Sequence, residues 1–191
     1  MNIEIRALTQ DLVEDYVRFH VACLVMTYAA LTSPEYARQR MAEHDRRAEE
    51  LRTHLAQADH GEPFRRHLVA LNARGGIVGV GCAGDGIDAW EEEAFGDDWV
   101  PPAVTLNLDH LYVAPELRGT GLARRMVDEL IGDRPAFLWA IGGNHRAVRF
   151  YEKLGFAPDG FGGACGPEWD FLPMMRLARA DITAGWPLPQ G

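Results

Sequence analysis

Cysteine is scarce in this chain. Cys23, Cys82 and Cys165 form an odd, scattered set with no C-x-x-C pair, which argues against both a disulfide framework and a zinc ribbon. None of the three stands beside a base in a sequence motif, so no covalent acyl-enzyme is expected, and Cys82 reads as a small core residue. The seven histidines show no H-E-x-x-H spacing, so no metal is expected either. No apolar run approaches the roughly 18 residues of a membrane span. The opening Met1-Asn2-Ile3-Glu4-Ile5-Arg6 is no signal peptide, so the expectation is a cytoplasmic protein. Positive charge is short: 19 Lys and Arg face 28 Asp and Glu, for a net charge of −9. Phosphate backbones need Lys and Arg, which argues against nucleic acid as the partner. The balance favours a cationic small molecule or a basic peptide. Internal repeats and low-complexity tracts are absent.

What is present suits one domain. The 191 residues are 47% hydrophobic and 25% charged, enough to bury a sizeable core. The expected division is one domain over 1–180 and a tail, 181–191, that is loose or packed on a neighbour. A short strand is expected over 2–8, with Thr9 capping the helix that carries Leu12, Val13, Tyr16, Val17, Val21 and Leu24. Ser33-Pro34 starts a second helix, with Ala37, Met41, His44, Ala48, Leu51 and Leu55 as its stripe. Residues 67–84 read as a hairpin around Ala73-Arg74-Gly75-Gly76. Gly79-Val80-Gly81-Cys82-Ala83-Gly84 spells G-x-G-x-x-G, but no apolar-periodic helix follows it. A dinucleotide loop is therefore the poorer account, and a strand thinned for close approach the better one. Residues 85–102 read as an acidic loop with Trp90, Phe95 and Trp99 interleaved, either a solvated surface or a wall that attracts a cationic amine.

The chain is organised around Asp109 to Ala123. Val104–Val113 reads as a central strand, closed by Pro115. Arg118-Gly119-Thr120-Gly121 is a basic glycine turn, and the helix from Leu122 buries Ala123, Met126, Val127, Leu130 and Ile131 before Gly132 stops it. The first N–H groups of a helix lack internal partners and carry partial positive charge, so a glycine turn there makes an anion site. The turn lacks the Lys-Ser or Lys-Thr of a Walker loop, and Arg124 stands where a dinucleotide fingerprint has its third glycine. Downstream, Phe137–Ile141 reads as a strand and Gly142-Gly143 as its end. Asn144 caps a helix with Ala147, Phe150, Tyr151 and Leu154 on one face and Gly155 at its close. Phe156–Phe161 and Trp169–Leu177 make a final strand pair. Crossover helices imply some parallel pairing in a mixed α/β sheet with helices on both faces.

Two motifs carry a resemblance. Leu111, Val113 and Pro115 followed by Arg118, Gly121 and Ala123 read L-x-V-x-P then R-x-x-G-x-A. Asn144, Ala147, Phe150, Tyr151, Lys153, Gly155 and Phe156 read N-x-x-A-x-x-F-Y-x-K-x-G-F. In this order they resemble the GNAT superfamily of acyl-CoA N-acyltransferases, over roughly residues 66–178. The resemblance implies a mixed, mostly antiparallel central sheet with a splayed parallel strand pair. It also implies acetyl-CoA held by the Arg118, Gly119, Thr120, Gly121, Leu122 and Ala123 turn and by the backbone of Leu111 and Val113. The helices before residue 57 are implied to shape the acceptor pocket.

The expected chemistry is transfer of an acetyl group to a primary amine of a small molecule or peptide. An amine of pKa about 10.4 is neutral in only about one molecule in 2,000 at pH 7, so a base is needed. Asp109 and His110 are the candidates. Strand alternation sends them to opposite faces; in the resembled family a bulge often re-aims this strand. The choice between them stays open, as does a purely structural hydrogen bond for each. Asn107 stands near where some members of the resembled family carry a catalytic glutamate, a departure that argues against a simple carboxylate mechanism. Tyr151, expected half-buried, is by resemblance the general acid for the departing thiolate. Asn144 is a helix cap, a cofactor donor, or both. The alternative is a non-catalytic acyl-CoA-binding sensor; a longer acyl group is a third reading. The acceptor's identity and the oligomeric state, a homodimer included, stay open.

Overall fold

A computed structural model describes residues 2–57 and 65–180; the expectation for the tail 181–191 falls outside them. Seven strands make one sheet: β1 (Ile3–Ala7), β2 (Arg65–Asn72), β3 (Ile77–Asp85), β4 (Leu106–Val113), β5 (Ala136–Ile141), β6 (Ala157–Ala164) and β7 (Pro173–Arg179). Their order is β1-β2-β3-β4-β5-β7-β6. Every neighbouring pair is antiparallel except β4 and β5. Those two are parallel and meet in register only at Asn107 and Phe137. Beyond that contact they part, and the splayed pair expected from the resemblance is in place.

The helices are α1 (Val13–Tyr28), α2 (Pro34–Ala42), α3 (His44–Gln57), α4 (Ala89–Phe95), α5 (Leu122–Leu130) and α6 (His145–Glu152). Val13, Tyr16, Val17 and Val21 of α1 and Ala48 of α3 pack on Val69, Leu71 and Val80. Met126, Val127 and Leu130 of α5, with Tyr151 of α6, pack on Leu68, Leu108, Leu138 and Leu177. Each large apolar side chain so buried stabilises the fold by about 1.5–3 kcal/mol. The glycines of β3 serve this packing. A Cβ on Gly79 would lie 2.9 Å from Met126 Sδ, and one on Gly81 2.9 Å from Leu130 Cδ1. The G-x-G-x-x-G run is thus a strand thinned to let α5 approach.

Four expectations need correction. The long helix from Pro34 is two helices, broken at Glu43, whose carboxylate pairs with Arg40 before the break and Arg46 and Arg47 after it. Met41 is 65% exposed. The buried face of α2 is instead Tyr36 and Arg40, because both stack on Trp169. Thr9 precedes a short 3-10 turn, Gln10–Leu12, and makes no capping bond. The acidic segment is no plain loop. It folds into α4 and a 3-10 turn because Phe95 and Trp99 pack with Trp139 and Phe161 around the buried Arg176, leaving its acids exposed apart from the buried Glu91 and the half-buried Asp88.

Candidate active site

The turn before α5 has the form of an anion cradle. Gly119 and Gly121 hold φ of +79° and +85°, left-handed values that favour glycine, and a Cβ on either would meet nothing within 4 Å. The backbone N–H groups of Gly119, Gly121, Leu122, Ala123 and Arg124 have no acceptor among the described residues. Thr120 instead turns inward, its hydroxyl and its N–H both donating to Leu117 O. Arg118 is exposed. Arg146, in the first turn of α6, lies close enough to Arg118 that burial and then Arg118 lower its pKa. Neither arginine has an ion-pair partner among the described residues. Two unpaired guanidiniums and a fan of free N–H groups fit the pyrophosphate of an acyl-CoA in charge and in donor type.

From this turn the splay leads inward. Past Asn107 the β5-side edge of β4, with Leu111 and Val113 in it, has no strand partner. A cavity of about 1000 Å³ opens on the α1 side. Tyr28, Trp90, Trp139 and Trp169 wall it, and His20, His67, Asp109, His110 and Tyr112 lie at its base.

A bulge assembles that base. Gly84 pairs with Asn107 and Cys82 with His110, so two steps on β3 match three on β4. Leu106 and Leu108 face the α5 core, and so do Leu111 and Val113; the three-residue step between Leu108 and Leu111 breaks the period of two. Asp109 and His110 therefore share the α1 face: of the two alternatives, the bulge holds and plain alternation does not. Their side chains hydrogen-bond, His110 Nδ1 to Asp109 Oδ2 at 2.8 Å. His110 Nε2 lies 2.6 Å from the Tyr16 hydroxyl, which also reaches Gly81 O at 3.2 Å. His20 stacks on His110 with centroids 4.1 Å apart. Burial opposes the charge on Asp109, yet His110 and then Arg65, 3.6 Å away, hold its carboxyl well below the usual range. Burial, with His110 next, lowers His20 well below its ordinary value and His67 to about 3. Burial raises the Tyr16 phenol.

Tyr151 is more enclosed than its helical spacing implied, at 9% exposure, because Phe150 and Phe156 pack edge-on against its ring. Burial and then Tyr28 push its pKa up. Asn144 caps α6, its Oδ1 accepting from Ala147 N at 3.2 Å, while its Nδ2 donates to the Tyr28 hydroxyl at 3.5 Å. Asn107 is buried, and its Nδ2 reaches Asp88 Oδ2 at 3.4 Å.

A model of the acetyltransferase (GNAT) domain matches residues 63–158. The chain belongs to the GNAT acetyltransferase family. No curated protein matches it in sequence. Among solved structures it resembles the PaiA N-acetyltransferase of Thermoplasma acidophilum in complex with coenzyme A, at 20% identity and a TM-score of 0.65 over 92% of this chain and 98% of that one. It also resembles a Corynebacterium glutamicum structure described as histone acetyltransferase HPA2 and related acetyltransferase, at 22% identity and a TM-score of 0.57 over 98% and 99%. A chimera of the Vibrio cholerae spermidine N-acetyltransferase SpeG and hSSAT is 16% identical, with a TM-score of 0.53 over 94% and 95%. At these identities the likeness is one of fold.

Within this GNAT family member, sequence reasoning did not bring Tyr16, His20, Arg65, His67 and Arg146 to the cavity and turn; Cys82 is the small core residue expected, at 0% exposure. Cys82 Sγ lies 3.7 Å from His67 Nε2, so the thiol does face an imidazole. The signal was present: a hairpin closed around Ala73–Gly76 sets His67 opposite Cys82. Tyr16 carried no such signal, because its spacing is that of any core residue. Among the described residues no helix is long and apolar enough to cross a membrane.

Proposed function

We propose that this chain is an acetyl-CoA-dependent N-acetyltransferase that acts on the primary amine of a small, cationic acceptor. One observation carries the reading. The splay from Asn107 and Phe137 runs between a free N–H cradle with two unpaired arginines and an aromatic cavity with a carboxylate–imidazole pair at its base. Bound at that cradle, acetyl-CoA supplies a thioester-activated acetyl group. The turn from Arg118 to Ala123, with Arg146, holds its phosphates. The free edge of β4 at Leu111 and Val113 takes the pantetheine amides, and the Asn144 side chain is spent on its cap and on Tyr28.

Asp109 holds the ammonium form of the acceptor, and Trp90, Trp139 and Trp169 flank its cation. The Tyr16 hydroxyl passes a proton to His110 Nε2 as it takes one from the amine side, and Asp109 balances the imidazolium that forms. The carbonyl of Gly81 then accepts the Tyr16 O–H, which leaves the His110 Nε2–H facing the phenolic oxygen. Tyr151, kept protonated by burial, is the donor to the leaving sulfur.

The test is thermal unfolding with and without acetyl-CoA, followed by thiol release across an amine panel. Ligand at 100 times its dissociation constant stabilises the native state by about 2.7 kcal/mol, a shift of roughly 5–10 °C for a domain of this size. A shift with turnover supports the reading. A shift without turnover on any amine reassigns the chain to a non-catalytic acyl-CoA-binding module. No shift at millimolar acetyl-CoA removes the cofactor assignment.

A further inference from the structure

We propose that the base of the cavity binds a zinc-class divalent cation through Cys82, Asp109, His110 and His67. The strand register builds the site. His67 pairs with Cys82 across β2 and β3, and Cys82 pairs with His110 across β3 and β4. The three therefore form one row across three strands, and the bulge in β4 brings Asp109 to the same face. Cys82 Sγ, a carboxylate oxygen of Asp109 and a ring nitrogen of His110 all lie within 4.8 Å of one another. His67 Nε2 is 3.7 Å from the same sulfur. Tetrahedral zinc, with bonds of about 2.0–2.3 Å, sets its ligand atoms roughly 3.3–3.8 Å apart. The sulfur and the His67 nitrogen have that spacing, but His67 stands outside the group of three, so its ring must turn toward Asp109 and His110 to complete the shell. The His110–Asp109 contact, 2.8 Å, must open by about half an ångström, and the pairs within 4.8 Å must close onto the metal.

The hydrogen bonds around the row point the same way. A metal-bound histidine ordinarily gives its other N–H to a fixed acceptor. His110 Nε2 meets the Tyr16 oxygen at 2.6 Å, and the Tyr16 hydroxyl has Gly81 O, a pure acceptor, at 3.2 Å. Without a metal, Nδ1–H donates to Asp109 and Nε2 accepts from Tyr16; a metal on Nδ1 would turn the Tyr16 hydroxyl to Gly81 and leave Nε2–H donating to Tyr16. The donor set of one sulfur, two imidazoles and one carboxylate selects a borderline-soft cation over magnesium or calcium. His67 Nδ1 is buried without a partner, so its hydrogen bonds do not hold the ring in place against a metal. Arg65 is the cation beside the site; Asp88 anchors it at 2.6 Å, and its contact to Asp109 is the longer, 3.6 Å.

Binding is a proton exchange with no redox step. Cys82 loses its S–H proton to solvent, the sulfur–metal bond forms, and the thiolate and carboxylate together neutralise the dication. Occupancy takes Asp109 and His110 away from the amine, so zinc and acceptor compete. That consequence, though not the site, rests on the proposed function.

The experiment is titration of the chelator-stripped chain with cobalt(II). The expected result is one equivalent of cobalt with thiolate-to-metal absorbance and intense tetrahedral visible bands, bleached by one equivalent of zinc. Cys82→Ala abolishes the thiolate band, His67→Gln weakens binding by tenfold or more, and Cys23→Ser and Cys165→Ser leave it intact. The acetyl-CoA thermal shift of Cys82→Ala, equal to that of the parent, shows that this variant is folded. Asp109→Asn, which keeps the shape of the side chain, should weaken cobalt binding and provides a second ligand test. A thiolate band that survives Cys82→Ala, or only weak octahedral spectra up to millimolar cobalt, overturns the site. Bands that behave as expected while zinc leaves turnover untouched keep the site and overturn the role given to Asp109 and His110 in the transfer.

Discussion

Asp109 and His110 are adjacent in β4, yet their side chains meet on one face of the sheet, Oδ2 to Nδ1 at 2.8 Å. In a regular strand they would point apart. The bulge opposite Cys82 and Gly84 removes one step of alternation and makes a dyad from neighbours. Asp109→Asn keeps the shape and removes the charge. Turnover measured by thiol release should fall by about 10²–10⁴-fold, while the acetyl-CoA thermal shift stays, because the cradle at Gly119 and Gly121 is untouched.

Tyr151→Phe separates binding from chemistry. The ring packing on Phe150 and Phe156 survives the change, so the fold and the acetyl-CoA shift should be retained. Turnover should drop by about 10²–10⁴-fold. Burial raises the Tyr151 pKa, so the group stays protonated across the neutral and mildly basic range. Tyr151 should therefore place no basic limb on the parent's pH–rate profile between neutral and mildly basic pH.

Gly121→Ala tests the cradle. At φ of +85° a side chain is strained whatever space surrounds it, at a cost of about 1–2 kcal/mol. Thermal unfolding should register a fall of a few degrees without ligand. The added methyl also projects into the open space over the turn, so the acetyl-CoA shift should shrink sharply. A full shift in this variant would place the phosphates elsewhere.

Glu91 gives a pH prediction with a definite sign. It is fully buried, and neither carboxylate oxygen makes a hydrogen bond of ordinary length. Burial raises its pKa, opposed in part by the Trp139 indole. The folded state thus holds this proton to higher pH than the unfolded state does. Stability is lost as pH rises from about 4.3 upward through the raised value, and the penalty persists at neutral pH. Glu91→Gln should gain about 1 kcal/mol at pH 7, a few degrees in melting temperature. The gain should vanish below about pH 4; melting curves across pH check it.

Much of this molecule was legible one residue at a time. The glycines at 119 and 121 announce left-handed backbone, and the stripe Met126, Val127 and Leu130 announces the buried side of α5. Asn144 and Gly155 mark the two ends of α6. These are local effects, decided by a residue's own backbone preference or by a period of 3.6. The acidic segment misled for the opposite reason. Its charges describe its solvent side, while its fold is set by Phe95 and Trp99 closing on Trp139, Phe161 and Arg176, residues distant in sequence.

The sequence by itself determined the family motifs, the left-handed glycine turn before α5 and the order of the strands, because each rests on contacts within a few residues. Only the tertiary structure decided which of the polar groups stand together. Tyr16, His67, Cys82 and His110 come from one helix and three strands, and the strand register and a single bulge put them within reach of one another. A shift of one residue in that register would turn every one of these strand side chains to the opposite face. Pairing across strands is a long-range property, and no spacing along the chain records it.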